Sequence, residues 1–310
     1  MATTPETILV TGASGFVGSK LCPILRQHYP GTRIEPARVD LRQADAIRAM
    51  VHDTKPDICI HLGAITTVQA AQESESDAWL VNLHGTLAVA RAIRDHAPDC
   101  TLLFASSAEA YGNSFRDGNA LTESAALAPT NVYGVTKAAA DLALGAMAEQ
   151  GLRVVRLRPF NHTGPGQEPL FVVPAFARHV ARIAAGLQDP VVTVGNMEAR
   201  RDFLDVRDVC TAYLACIRYR DELPPGTIFN LSSGQPRRIG DILNDLLALA
   251  EVNVAIRVDP ALLRPTDLPI TRGNADKART MIGWQPAIPW QETLRDVITD
   301  WQERIQALQE

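Results

Sequence analysis

The stretch Ile8-Leu-Val-Thr-Gly-Ala-Ser-Gly-Phe-Val-Gly18 decides the fold. Ile8, Leu9 and Val10 form a short apolar run of strand type, and beyond the glycines Leu21, Ile24 and Leu25 recur at helical spacing. Gly12, Gly15 and Gly18 sit at the joint between the two. Glycines at a strand-to-helix turn let the backbone approach a pyrophosphate, leave the helix amides free to bind it, and allow the helix to pack closely on the strand. The spacing is G-x-x-G-x-x-G rather than the commoner G-x-G-x-x-G, and its place between a strand and a helix predicts a dinucleotide seat.

Outward from this unit the chain repeats strand and helix to about residue 160. Asp57 to Leu62, Thr101 to Phe104 and Leu152 to Leu157 read as strands, while 80–94 and 129–150 read as helices. The strands lack strict alternation of apolar and polar residues, so both of their faces are buried, which predicts a doubly wound parallel sheet of the α/β class. Ligands of such sheets collect beyond the carboxyl ends of the strands, where Gly12, Gly63-Ala64 and Ser107 fall. After residue 160 the Gly/Pro-punctuated loop Arg158-Pro-Phe-Asn-His-Thr-Gly-Pro-Gly-Gln167 changes the texture. Residues 1–160 are therefore expected to form mainly a dinucleotide-binding domain. Residues 161–310 are expected to form mainly a smaller α/β substrate-binding region, with some segments returning to the first.

The chemistry is expected at Tyr133-Gly-Val-Thr-Lys137, read together with Ser107 at a strand end. Tyr133 and Lys137 are one helical turn apart, which puts a phenol and an ammonium on one face. A phenol titrates near 10, and a neighbouring positive charge is expected to bring it toward the working range of an acid–base group. A Ser hydroxyl can hold a carbonyl or alcohol oxygen beside it. Together they describe the movement of a proton at oxygen while a hydride moves at carbon. On its own the Tyr/Lys spacing is also that of a solvated helix surface.

The cofactor's phosphate pattern stays open. A dinucleotide site usually has an acid about 20 residues beyond its glycines to hold the adenine ribose. In Gly31-Thr-Arg-Ile-Glu-Pro-Ala-Arg-Val-Asp40, Glu35 can take that place, whereas Arg33 or Arg38 can neutralise a 2′-phosphate. NADPH and NADH are both admitted.

A chain of 310 residues with 46% hydrophobic and 21% charged residues can bury a substantial core. Its net charge of -5 argues against general binding to nucleic acid or to anionic membranes. Five cysteines without C-x-x-C spacing predict free thiols and give no zinc signature. No apolar stretch has the length of a membrane span, and residues 1–7 are too short and polar for a signal peptide, so a cytoplasmic protein is expected. Arg200-Arg-Asp-Phe-Leu-Asp205, Arg207-Asp208 and Arg264-Pro-Thr-Asp267 concentrate charge in the second half. An Arg fork suits a diphosphate and a carboxylate suits sugar hydroxyls, although Asp205 and Asp208 read more readily as structural.

Thr11 to Gly18, Ser107 and Tyr133-x-x-x-Lys137 resemble the extended short-chain dehydrogenase/reductase family, and the likeness runs from Ile8 to about Trp301. It implies an NAD(P)H-dependent enzyme in which Ser107, Tyr133 and Lys137 are catalytic and no metal is used. By the same likeness Gly12, Gly15, Phe16, Val17, Gly18, Asp40, Leu41, Leu62, Gly63 and Ala64, with Tyr133 and Lys137, match cofactor positions. Segments 158–167, 194–208 and 263–269 resemble the branch that reduces the C4 carbonyl of GDP-4-keto-6-deoxy-D-mannose to GDP-D-rhamnose. Asn161, Val172, Arg201, Arg264 and Asp267 match positions that hold the GDP-linked sugar there. The neighbouring branch dehydrates GDP-mannose with a Glu base where Glu109 stands, so Glu109 does not separate the two. That branch also carries Arg residues where this chain has Gly164-Pro-Gly-Gln167, and a Lys where it has Ala175, which favours reduction. Dehydration, 4-epimerisation and non-catalytic dinucleotide binding remain the alternatives. The likeness further implies a homodimer built on the helices around 80–94 and 129–150.

Overall fold

The computed structural model describes residues 4–263 and 268–308. The first half alternates β1 (Thr7–Thr11), α1 (Phe16–His28), β2 (Arg33–Pro36), α2 (Ala44–Thr54) and β3 (Ile58–His61). It continues through the short α3 (Val68–Glu73) and α4 (Glu75–Ala78), a π-helical stretch Trp79–Gly85, α5 (Thr86–His96), β4 (Thr101–Ala105), α6 (Val132–Ala148) and β5 (Val154–Pro159). Then come β6 (Asn161–Thr163), α7 (Val172–Ala184), β7 (Val191–Val194), β8 (Arg200–Asp205), α8 (Val206–Tyr219) and β9 (Thr227–Leu231). The last elements are β10 (Pro236–Arg238), α9 (Ile239–Leu249), β11 (Ala255–Val258), β12 (Ile270–Thr271), α10 (Asp276–Ile282) and α11 (Trp290–Ala307).

The expected parallel sheet is present, six strands in the order β2-β1-β3-β4-β5-β9, every pair parallel. From β1 the chain builds outward to β2 on one side and to β3 on the other, so the strand order reverses between β1 and β3. A crevice opens at such a reversal beyond the carboxyl ends of the two strands. Both faces of the sheet are covered. Ile8, Val10, Leu21, Leu25, Ile58, Ile60 and Val209 pack on the side of α1 and α8. Leu9, Ile47, Cys59, Val89, Leu102 and Leu144 pack on the side of α2, α5 and α6. This double burial explains why the strands read as continuous apolar runs.

The last sheet strand, β9, comes from beyond residue 160, and the remaining strands form smaller sheets. β8 is flanked by antiparallel β10 and parallel β12, and β6 also pairs with it in parallel. A separate core of Val173, Phe176, Val180, Leu243, Leu246, Leu294 and Trp301 joins α7, α9 and α11. α7 begins at Val172, directly after the exposed Leu170 and Phe171. β8 has no period-2 pattern, since Asp202 and Asp205 are buried beside Phe203 and Leu204. All five cysteines are buried free thiols. Among the described residues no helix is long and apolar enough to cross a membrane.

Candidate active site

The glycine turn closes on the strand reversal. Gly12 adopts φ +68°, and a Cβ added there would lie 2.7 Å from the Gly63 amide nitrogen. At Gly18 an added Cβ would lie 2.3 Å from the Gly12 carbonyl oxygen. Contacts this short exclude any side chain, so both glycines are required by the close approach of α1 and of the turn after β3. Thr11 Oγ1 accepts from the Gly63 amide at 3.1 Å, tying the ends of β1 and β3 together. Leu41 fills the space beside this turn, 2.8 Å from where a Cβ on Gly63 would stand, while Leu62 and Ala64 flank Gly63 in the chain. A narrow backbone-lined cradle of this kind fits a dinucleotide pyrophosphate, and Phe16 and Val17 open α1 directly after it.

Asp40 is gripped by Arg42, whose Nε donates to Asp40 Oδ1 at 3.0 Å and whose Nη2 donates to Oδ2 at 2.8 Å. Arg33 donates to the Thr54 carbonyl at 3.1 Å. Glu35 lies inside β2 opposite Leu9, whereas Arg38 stands two residues past the strand end and has no hydrogen-bond or ion-pair partner among the described residues.

Across the sheet, β4 delivers Ser107 and α6 delivers Tyr133 and Lys137. Asn131 caps α6, its Oδ1 accepting from the Gly134 amide at 2.8 Å. Its Nδ2 donates to Glu109 Oε2 at 3.0 Å, so Glu109 holds the cap of α6. At Gly134 an added Cβ would lie 2.7 Å from the Glu109 carbonyl oxygen, so the first turn of α6 rests directly on the turn that carries Ser107. Ser107 Oγ accepts from the Glu109 amide at 3.1 Å and lies near enough to the Tyr133 phenol to favour its ionised form.

The electrostatics differ from the sequence expectation. Burial pushes the Tyr133 phenol up to about 12, the Ser107 hydroxyl pulls it back in part, and the Glu109 charge adds to the rise. Lys137 does not bring it down. Its ammonium donates to the Ala105 carbonyl at 2.7 Å and stands 5.1 Å from the centre of the Phe104 ring. Burial lowers the Lys137 pKa to about 7, and the Asp141 charge opposes the fall. Burial rather than the neighbouring ammonium sets the direction of the Tyr133 shift, so helical spacing alone does not predict it.

Residues beyond the expected ones complete this floor. Asn82 is fully buried, accepts from the Ile65 amide at 2.8 Å, and donates to Thr136 Oγ1 at 3.0 Å; Thr136 in turn donates to the Tyr133 carbonyl at 2.9 Å. His61 Nδ1 meets Thr11 Oγ1 at 2.7 Å and Nε2 meets Thr86 Oγ1 at 2.9 Å. Burial and the Lys137 charge hold His61 down to about 3, so it is neutral. The Thr86 hydroxyl donates to the Asn82 carbonyl at 2.7 Å, so His61 carries its proton on Nε2 and accepts on Nδ1. Nothing in the local sequence announces these partners except helical spacing around Thr86 and Asn82.

On the other side of the crevice β6 carries Asn161, exposed and in register with Phe203 of β8. Val172 opens α7, half-buried against its core. Arg201 on β8 donates to the Leu268 carbonyl at 2.7 Å and to the Arg200 carbonyl at 3.0 Å. Arg264 and Asp267 lie outside the described residues. Asp205 caps α8 by accepting from the Arg207 amide at 2.8 Å, and Asp208 accepts from the Ala287 and Ile288 amides at 3.0 and 3.1 Å. Both acids are structural.

Residues 8–232 match the model of the NAD dependent epimerase/dehydratase family. The chain belongs to that family. It is 35% identical over 303 residues to the GDP-6-deoxy-D-mannose reductase of Pseudomonas aeruginosa, covering 97% of this chain and 98% of the relative. It is 28% identical over 282 residues to the GDP-6-deoxy-D-talose 4-dehydrogenase of Aggregatibacter actinomycetemcomitans, covering 89% and 91%. The solved structure of RMD from Pseudomonas aeruginosa complexed with NADPH superposes with a TM-score of 0.88 at 33% identity, over 96% of this chain and 99% of that one. The Thermus thermophilus UDP-glucose 4-epimerase, solved as a complex with NAD, gives 0.83 at 26% identity, over 96% and 99%. Proteins that share this fold are thus named for different nucleotide-sugars.

Proposed function

We propose that this protein is an oxidoreductase that reduces the C4 carbonyl of GDP-4-keto-6-deoxy-D-mannose with NADPH or NADH, giving GDP-D-rhamnose. The observation that carries the reading is the full-length likeness to a GDP-6-deoxy-D-mannose reductase, joined to a phenol that keeps its proton at neutral pH beside a dinucleotide cradle. When bound, the dinucleotide supplies the hydride that the carbonyl carbon receives. Tyr133 gives its proton to the carbonyl oxygen, and the Ser107 hydroxyl orients that oxygen and then shares the charge left on Tyr133. Reduction of a ketone calls for a proton donor, and a phenol held near 12 is an acid at neutral pH. Lys137 fixes the floor of the site through the Ala105 carbonyl. Glu109 acts as a positioning residue through Asn131.

In this reading residues 1–160 hold the dinucleotide, and residues 161–310 hold the GDP-linked sugar, chiefly through Asn161, Val172, Arg201, Arg264 and Asp267. Arg38, beyond β2 and without a partner among the described residues, favours the 2′-phosphate of NADPH over NADH. The protein forms a homodimer across α5 and α6, where Leu142 on α6 is 59% exposed. Sedimentation equilibrium should return a dimer at micromolar concentration, and monomer alone would remove this interface. Buried thiols and a nucleotide-sugar substrate suit the reducing cytoplasm.

Product analysis tests the reaction. Purified protein given the keto sugar and NADPH should consume the dinucleotide in step with product, and Tyr133→Phe should lower turnover by roughly 10²–10⁴ while dinucleotide affinity stays within about three-fold. Conversion of GDP-mannose to the keto sugar, with no stoichiometric consumption of NADPH on the keto sugar, would assign the dehydratase reaction instead.

A further inference from the structure

Between β8 and the start of α11 lies a cavity of about 390 Å³, a size that admits a small organic ligand. No residue named above for the dinucleotide, the proton donor or the sugar lines it. Phe203, Pro286, Ile288 and Pro289 give it an apolar side, and Arg237 on β10 gives it a cation. The Arg237 guanidinium carbon lies 4.7 Å from the centre of the Trp290 ring, and Trp290 meets Phe203 with centroids 5.5 Å apart. The half-buried cation therefore rests on a buried aromatic pair. Among the described residues Arg237 makes no hydrogen bond and no ion pair, with Nε sealed from solvent and Nη1 and Nη2 still accessible. Burial pulls its guanidinium below the ordinary range, and the charges of Asp202 and Asp245 oppose the fall without reaching ion-pair distance. The Trp290 indole, on a residue 5% exposed, also has no acceptor for Nε1.

Buried donors are ordinarily paired, so two unpaired ones side by side in a cavity wall call for an acceptor. The carboxylates of the wall are engaged elsewhere. Asp205 accepts from Arg207 and from Thr293, and Asp208 accepts from the Ala287 and Ile288 amides. Glu292, in the first turn of α11, reaches Arg207 at 3.6 Å. That helix runs 18 residues from Trp290, and the amides of Trp290 and Gln291 have no acceptor within it, which leaves its positive end at the cavity. A guanidinium edge beside a helix start suits an oxyanion, and Arg matches carboxylate and phosphate alike. We propose that the cavity is a second ligand site, which takes a small organic anion with its carboxylate or phosphate on the Arg237 Nη groups and its carbon body against Pro286, Ile288 and Pro289. The site does not depend on which reaction the crevice catalyses.

The test is the indole NMR spectrum of the full chain labelled with ¹⁵N-tryptophan, titrated at constant ionic strength with benzoate and with phenyl phosphate. The two probes share a body and differ in the head group. The chain has four tryptophans, and Trp290→Phe identifies the signal of Trp290. That signal should move saturably with at least one probe, with a dissociation constant of about 1 mM or tighter. Arg237→Met should weaken the response about ten-fold or more, and Arg237→Lys, which keeps the charge without the fork, should weaken it measurably. Response to benzoate alone assigns a carboxylate, response to phenyl phosphate alone assigns a phosphate, and response to both assigns a site for either oxyanion. No saturable movement of Trp290 with either probe would overturn the inference, as would movement confined to Trp79, Trp284 or Trp301. A Trp290 response that stays within about two-fold of wild type in the Arg237 variants would overturn it too. If Arg237→Met loses the dispersed spectrum of the folded chain, Arg237→Lys decides alone.

Discussion

Two buried cations lie on either side of Asp141 and behave in opposite ways. Lys137, on α6, is 3% exposed and meets only a carbonyl oxygen and a ring, so burial strips its charge toward neutrality. Arg158, on β5, is equally buried. It forks onto Asp141 with Nε to Oδ2 at 2.9 Å and Nη2 to Oδ1 at 2.8 Å, and its Nη1 reaches Tyr111 Oη at 3.0 Å and the Glu123 carbonyl at 3.1 Å. Arg156 takes the same carboxylate at 3.1 Å. The difference teaches that burial alone does not set a group's charge. A fully paired cation becomes a permanent part of the frame, and one left without a carboxylate becomes responsive to pH.

The largest test of that contrast is Asp141→Asn. Two guanidinium groups, 12% and 3% exposed, would lose their shared buried carboxylate, and removing one partner of a buried ion pair typically costs about 3–5 kcal/mol. Urea unfolding should show a loss of this size, and a variant within about 1 kcal/mol of wild type would mean that Asp141 does not hold the frame.

Methionine at the two cations gives the next test, because the expected signs are opposite. The Lys137 pKa in the folded protein, about 7, lies below its ordinary 10.5. The folded state therefore binds the proton less tightly than the unfolded chain, and the resulting destabilisation is complete below pH 7. It shrinks as pH rises from about 7 to 10.5. Lys137→Met should accordingly be more stable than wild type at pH 6, converge on it toward pH 10, and lose turnover. Arg158→Met should be less stable throughout. Thermal melts across pH would decide both, and a stability gain for Lys137→Met that did not depend on pH would contradict the linkage.

A smaller effect belongs to Tyr111, whose hydroxyl donates to Asn230 Oδ1 at 2.7 Å while accepting from Arg158. Tyr111→Phe leaves a buried amide oxygen without a donor, a change worth about 1–3 kcal/mol in urea unfolding with Asp141 still paired. No loss at all would show that Asn230 finds another partner.

The glycine turn and the turn of α6 that carries Tyr133 and Lys137 are legible in the sequence because each is written within a few residues. Gly12 to Gly18 encode a turn by their spacing, and Tyr133 and Lys137 share a face by theirs. The facing wall is different. β6 is three residues long and finds β8 some forty residues later, so no local period marks Asn161, His162 or Arg201 as neighbours. Only resemblance to a family links Asn161 and Arg201 in the sequence. The environment of Lys137 is not legible from helical spacing for a related reason. Its partners, Ala105 and Phe104, come from a different element, and burial is a property of the assembled sheet. Asp141 lies one turn beyond Lys137 and was within reach of the same helical reading, but its arginines come from β5.

The contact of Gly134 with the Glu109 carbonyl acts as a mechanical stop. Side chains change rotamer and repack, but two backbones pressed together offer nothing to adjust, so the reach from Ser107 to Tyr133 is set by the absence of one methyl group. On the function proposed above, a gap gauged in this way tolerates drift in the surrounding core and in the sugar pocket, which leaves the pocket free to be recut for other sugars while the proton donor stays where it is.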